Sequence, residues 1–230
     1  MKTVCIVSGG ADSACTAAHL KSNGHDLYLM TFYYGQRSKT EVERAKMIAD
    51  YLHVNEHKIV DIGFMKELYG GSNVLTDANS TMPEEFNYSI VVPVRNAIFI
   101  SIASAWAFSI NAEVVAYGAH KDDFNYPDCR PEFVKSINEM INLTEIDGIK
   151  KGVRKAIKIW SPAIDGIGKK ELLRTGYKVL GDKLFETWSC YTDGITHNNE
   201  LLHCGKCESC MNRKKAFIEA GIDDKTKYDE

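Results

Sequence analysis

MKTVCIVSGGADSACTAAHL, residues 1–20, runs from an apolar stretch through Ser8-Gly9-Gly10-Ala11-Asp12-Ser13 directly into a helix-like pattern. A strand that turns into a helix through two glycines brings its backbone close to something, because glycine has no Cβ in the way. The same alternation recurs outward from this stretch. DLYLMTFYY (26–34), EHKIVDI (56–62), EVVAYG (113–118) and KAIKIWSP (155–162) read as strands. Helices are predicted over 12–22, 38–51, 95–109, 131–143 and 169–180. In the second of these Val42, Ala45, Ile48, Ala49 and Leu52 form one stripe, whereas RNAIFISIASAWAFS (95–109) is apolar nearly all round and predicts a buried helix.

Strands alternating with helices predict an α/β fold, a doubly wound, Rossmann-like parallel sheet with helices on both faces. Ligands of such sheets bind beyond the carboxyl ends of the strands. The loops begun by Ser8, Tyr34, Gly118 and Ser161 are therefore expected to line one crevice. Residues 65–90 break the rhythm and read as an insertion or a mobile flap. From Phe185 the periodicity fades and cysteines appear. The expected division is a main α/β domain over 1–184 and a small C-terminal appendage over 185–230.

The net charge of −3 over 230 residues disfavours a partner held by a broad basic face, such as duplex DNA or whole tRNA, and favours small molecules. No run approaches eighteen apolar residues, and the N-terminus lacks the pattern of a signal peptide. A cytoplasmic location, no membrane partner and no nucleic-acid partner are the expectations.

Three glycine-turn chemistries compete at SGGADS. A Walker A loop needs a Lys, which is missing, and a dinucleotide fingerprint needs G-x-G-x-x-G, whereas the glycines here are adjacent. The pattern S-G-G-x-D-S is that of the PP-loop of ATP pyrophosphatases, and Ser8, Gly9, Gly10, Ala11, Asp12 and Ser13 fill it. Bare backbone lets successive N–H groups face phosphate oxygens, hydroxyls donate, and the helix N-terminus adds positive potential. Asp12 would hold Mg²⁺ or fix the loop. The plainer alternative is a Gly-Gly turn capped by Ser13 or Asp12. A loop of this kind binds the leaving pyrophosphate of ATP, so the expected chemistry is adenylation.

Of seven cysteines, Cys190, Cys204, Cys207 and Cys210 crowd one segment, TWSCYTDGITHNNELLHCGKCESC. In a reducing compartment such clusters are metal ligands more often than disulfides. Four thiolates suit a tetrahedral, structural Zn²⁺ with no open position. A redox pair, an iron–sulfur cluster or unligated cysteines are the alternatives, and His197 or His203 could replace one thiolate. Lys206 and Arg213-Lys214-Lys215 are expected to offset the charge of the site.

SGGADS, YYGQRSKTEVERA, VVPVRNAIFISIAS, GAHKDDFNYPDCRPEF, TWSCY and CGKCESC together resemble the 7-cyano-7-deazaguanine synthase family, PP-loop enzymes of queuosine and archaeosine precursor synthesis, over nearly the whole chain. The sequence departs from the family where Val94 replaces a small residue before Arg95. It is also a residue short between Lys121 and Tyr126 and somewhat longer between Cys190 and Cys204. The resemblance implies a reaction of 7-carboxy-7-deazaguanine, ATP and ammonia that gives the nitrile through adenylated intermediates, and it implies a homodimer. Arg95 would neutralise carboxylate or phosphate charge, or else form a structural ion pair. Tyr126 would stack on the ring, Asp128 would meet the guanine-like N–H edge, and Arg130 would contact the carboxylate. Lys169 would reach phosphates. His120 and Asp122-Asp123 would help bind Mg²⁺ or substrate. A zinc-bearing enzyme adenylating a tRNA base for thiolation, kept open by Cys129, and a non-catalytic nucleotide or zinc interaction module are the competing readings.

Overall fold

Five parallel strands, β1 (Lys2–Ile6), β2 (Asp26–Tyr33), β3 (Glu56–Asp61), β4 (Val114–Ala116) and β5 (Lys158–Trp160), form one sheet in the order β3-β2-β1-β4-β5. This computed structural model describes residues 1–77 and 79–229; Ala78, in the 65–90 segment, and Glu230, at the end of 185–230, lie outside the described residues. The chain winds outward from β1 to β3, then crosses back to place β4 beside β1. The order therefore reverses at the carboxyl end of β1, where doubly wound sheets bind ligands.

The helices are α1 (Ala11–Ser22), α2 (Thr40–Tyr51), α3 (Met65–Tyr69), α4 (Arg95–Ser109), α5 (Pro131–Thr144), α6 (Ile146–Lys150), α7 (Lys169–Leu180) and α8 (Glu208–Ala220). Side chains alternate along a strand, so each strand feeds two cores. Cys5, Val7, Leu27 and Leu29 join Ala14, Ala45, Leu172 and Phe217 from α1, α2, α7 and α8. Val4, Ile6, Met30 and Phe32 join Ile100 of α4 and Val134 of α5 on the other face. Because both faces are covered, β1 reads as a continuous apolar run. Small residues on α1 admit α7 at close range; a Cβ on Gly176 would lie 2.1 Å from Cys15 Sγ.

The expectation about apolar length needs correction. Tyr88–Ser109 is long and apolar enough to meet the composition test for a membrane span, with a mean hydropathy of 1.6 over its best window. Only 15 of these residues form α4, and Ile100, Ala103, Ala107 and Phe108 are buried against the sheet. The 65–90 segment carries α3 and a 3₁₀ turn at Tyr88–Ile90. Buried Asn73 ties it together, donating to Ser89 O at 2.8 Å and accepting from Leu75 N–H at 2.8 Å.

Helix α8 is the element that the periodicity concealed. Its buried positions are Glu208, Cys210, Arg213, Ala216, Phe217 and Ala220, and from Cys210 onward they keep a helical spacing in which a cysteine and an arginine hold core positions. Arg213 is not a surface charge beside the cysteines. Its guanidinium is buried and donates to Thr187 Oγ1 (2.9 Å), Ser189 Oγ (3.1 Å), Leu184 O (3.2 Å) and Thr226 Oγ1 (2.9 Å). It thereby ties α8 to the segment leading into the cysteines and to the chain end. An antiparallel pair, β6 (Ile195–His197) and β7 (Glu200–Leu202), spans the gap between Cys190 and Cys204.

Candidate active site

The turn after β1 is held by its own hydroxyls. Ser8 Oγ and Ser13 Oγ lie 3.1 Å apart, Gly10 N–H donates to Ser8 Oγ at 3.3 Å, and Ser13 Oγ donates to Gly10 O at 3.1 Å. Gly9 adopts φ +97°, and a Cβ there would sit 2.0 Å from Glu41 O, so α2 packs where only glycine fits. Gly10 precedes α1 in extended conformation without capping it by a side chain. The first-turn donors of α1 are left facing the cavity that Ser8, Gly10, Ala11, Asp12 and Ser13 line, which is the arrangement of an anion cradle.

Titratable groups from two other segments, the loop after β4 and the start of α7, converge on this turn. Lys169 Nζ at the start of α7 lies 3.1 Å from Asp12 Oδ2, and His120 Nε2 lies 3.7 Å from Asp12 Oδ1 and 3.4 Å from Asp123 Oδ1. Burial pushes the Asp12 carboxyl up, but Lys169 and His120 overcome it and hold the group below its ordinary range. Burial likewise pulls the Lys169 ammonium down, and Asp12 and Asp123 outweigh it, so the cation is kept. Burial raises the Asp123 carboxyl. Among the described residues Asp12 Oδ1 and both ring nitrogens of His120 are buried without a hydrogen-bond partner. Such orphaned atoms beside an anion cradle suit a cation–phosphate ligand.

Arg95, Tyr126 and Cys129 line the same cavity. Arg95 opens α4 and donates to Tyr34 Oη at 3.2 Å. Three expected site residues hold backbone instead, and none is among the cavity-lining residues. Asp122 Oδ2 accepts the Lys169 N–H at 2.7 Å and caps α7 from a distance. Asp128 Oδ2 accepts the Asn96 N–H at 3.3 Å in the first turn of α4, and Arg130 Nε donates to Phe124 O at 2.8 Å. His120 stands behind Asp12 and Asp123. Of the four strand-end residues, Ser8, Tyr34 and Gly118 line the cavity, while Ser161 is buried beside it. Glu41, Tyr191, Glu208 and Asn212 also line it. These residues were missed because they belong to α2 and to the cysteine segment, which carried other readings. Burial pushes the Cys129 thiol up, with Asp123 and Asp128 adding to the effect, so it is a reluctant thiolate and a poor nucleophile.

The sulfurs of Cys190, Cys204, Cys207 and Cys210 are buried and lie within 4.8 Å of one another. Ligands about 2.3 Å from a tetrahedral zinc stand about 3.8 Å apart. Cys204 Sγ and Cys210 Sγ are 4.0 Å apart, and the donor set fits a metal. Neither histidine takes part. His203 packs on Trp188 with the rings tilted by 35° and their centroids 4.1 Å apart, and burial depresses its imidazole to about 3; His197 is exposed and pairs with Asp229. The segment reaches the anion cradle directly, since Trp188 N–H donates to Gly9 O at 2.9 Å.

A family profile described as "Queuosine biosynthesis protein QueC" matches residues 2–221. The chain is 37% identical to a 7-cyano-7-deazaguanine synthase of Saccharophagus degradans over 99% of this chain and 97% of that one. It is 40% identical to one of Picrophilus torridus over 100% and 92% of the two chains. The solved complex of a 4-thiouridine synthetase with RNA and bound ATP is similar in fold. Its TM-score is 0.54 at 16% identity, over 96% of this chain and 50% of that one. The phosphate-type loop, the cysteine cluster and the full-length match agree: the chain belongs to the QueC family of queuosine biosynthesis proteins.

Proposed function

We propose that the protein converts 7-carboxy-7-deazaguanine and ammonia into 7-cyano-7-deazaguanine at the expense of ATP. The observation that carries this reading is the meeting, in one cavity, of the Ser8–Ser13 cradle with Lys169 and the Arg95–Tyr126 wall. A carboxylate is a poor electrophile. Its attack on the α-phosphorus of ATP releases pyrophosphate into the cradle and leaves a mixed anhydride. Ammonia displaces AMP and forms the amide. Adenylation of the amide oxygen, then loss of AMP and the remaining N–H protons, forms the nitrile. Both oxygens present themselves at one place, so one cradle serves both activations. Lys169 meets the growing negative charge on the pyrophosphate, and Arg95 neutralises the substrate carboxylate.

Asp12, through its unpartnered Oδ1, and Asp123 would hold Mg²⁺, which screens phosphate charge when bound. The four cysteines would hold a structural zinc ion, with 185–230 as a metal-bearing segment seated on a domain of 1–184. A cytoplasmic homodimer completes the reading. The raised Cys129 thiol weighs against thiolation chemistry.

Purified protein incubated with ATP, Mg²⁺, ammonium and 7-carboxy-7-deazaguanine is expected to give the nitrile by mass, with two AMP per product. Zinc-loaded, folded protein that forms none overturns the reading. Asp12→Ala is expected to lower AMP release at least about 100-fold, and turnover at the wild-type rate would remove Asp12 from the machinery.

A further inference from the structure

Asp128 was the expected partner of the guanine-like donor edge, yet it is engaged at the first turn of α4. The carboxylates that line the cavity are Asp12, Glu41, Asp123 and Glu208. Asp12 is paired with Lys169, and Asp123 accepts the His120 N–H at 3.0 Å. Glu41 rises from α2 into the field of Arg95, on the side of the cavity against Gly9. Glu208 has different company. It is 6% exposed, it opens α8 directly after Cys207, and its carboxylate accepts from Asn212 Nδ2 one turn along the same helix. The Tyr191 hydroxyl also hydrogen-bonds with it, Lys169, Asp123 and the Tyr126 phenol are within its electrostatic reach, and Phe86 meets Tyr126 edge-on at 5.4 Å.

Two aromatic side chains lining one cavity with a carboxylate held in place by Asn212 suit a flat heterocycle whose edge carries two parallel N–H donors. A guanine-type ring has that edge, N1–H beside the exocyclic amino group, and a carboxylate accepts both hydrogens side by side. We propose that Glu208 is the specificity-determining residue for the substrate ring: it accepts the N1–H and exocyclic amino hydrogens while Tyr126 and Tyr191 hold the ring and Asn212 orients the carboxylate. This inference rests on the function proposed above. It also gives the cysteine knuckle a second consequence. The turn that gathers the sulfurs sets the first residue of α8, and with it the group that reads the ring.

The test compares 7-carboxy-7-deazaguanine with its analogue lacking the exocyclic amino group, using zinc-loaded wild type, Glu208→Gln and Asn212→Ala. Wild type is expected to favour the natural ring by about 100-fold or more in kcat/KM, because the analogue leaves a buried acceptor unpaired. Glu208→Gln is expected to reduce that ratio below about 10-fold, chiefly through KM, with AMP released per product unchanged. Asn212→Ala keeps the carboxylate but frees it, and is expected to reduce the ratio by a smaller factor. Metal content and circular dichroism report folding. If Glu208→Gln fails to fold, Asn212→Ala decides alone, and a ratio equal to wild type in that variant overturns the inference. Nitrile formation by wild type with the ratio preserved in Glu208→Gln overturns this inference and leaves the function standing. No nitrile from wild type overturns the function, and the inference with it.

Discussion

Val94 is a β-branched residue held at φ +59°, in the left-handed region, one position before Arg95. Such a backbone costs about 1–3 kcal/mol for a residue with a branched Cβ. Its side chain is exposed and gains little from packing in return. Glycine would relieve the strain and lose only about 0.5–1 kcal/mol to its greater unfolded-state freedom. Val94→Gly is therefore expected to stabilise the metal-loaded protein by about 1 kcal/mol, a rise of roughly 2–4 °C in Tm by calorimetry. An unchanged or lower Tm would show that the turn is not strained. Glu41 supplies a pH signature at the same scale. Burial pushes its carboxyl up to about 8 from the ordinary 4.5, against the pull of Arg95. Between those values the folded chain keeps a proton that the unfolded chain has released, so this residue's contribution to stability falls as pH rises from 4.5 to 8. Without nucleotide, Tm of the wild type is expected to drop relative to Glu41→Gln between pH 5 and pH 8. Parallel melting curves would rule this out. Neither feature was legible in the sequence. Val94 stood out only as a departure from a pattern, and the burial of Glu41 depends on how α2 packs over Gly9.

The elements themselves were legible wherever one period dominated. The strands β1 to β5 and the helices α2, α4 and α7 fall within the apolar runs and stripes read from residues 1–180, and α1 and α5 each exceed theirs by one residue. What failed was α8, because Arg213 and Cys210 occupy inward positions that hydrophobic periodicity counts as polar. Capping was also opaque at a distance. Gly168 precedes α7 without capping it, and Asp122 does so from 47 residues upstream. Asp122→Ala is expected to cost about 1 kcal/mol of stability, the usual worth of a capping carboxylate, with a Tm roughly 2–4 °C lower. A loss of activity with no loss of stability would return Asp122 to the substrate site. The acidic pair in HKDD is thus divided between two tasks. Asp122 holds a helix end, while Asp123 faces the cavity beside His120.

At the scale of the whole molecule, the cysteine segment is part of the crevice. Trp188 donates to the Gly9 carbonyl, Arg213 clamps residues 184–189 to α8, and Glu208 lines the cavity. Removing a metal held by the four cysteines should therefore be felt at the Ser8–Ser13 turn near the start of the chain. A strong chelator, or Cys190→Ser, is expected to release one metal ion per chain and lower Tm by roughly 10 °C or more. It should also red-shift the emission of buried Trp188 and weaken ATP binding. Metal loss with unaltered Tm and nucleotide affinity would separate the cluster from the site.

The strand–helix alternation, the SGGADS turn and the grouping of the four cysteines were all legible in the sequence, because each depends on residues close together in the chain and on short-range stereochemistry. Packing between distant segments set which polar residues face the cavity. Asp128, Arg130 and Asp122 turn to backbone groups, while Glu41, Tyr191 and Glu208 reach the cavity from α2 and the cysteine segment. Whether a carboxylate caps a helix or meets a ligand depends on which donor lies within hydrogen-bond reach of it. That donor is supplied by packing between distant segments, which no local spacing encodes.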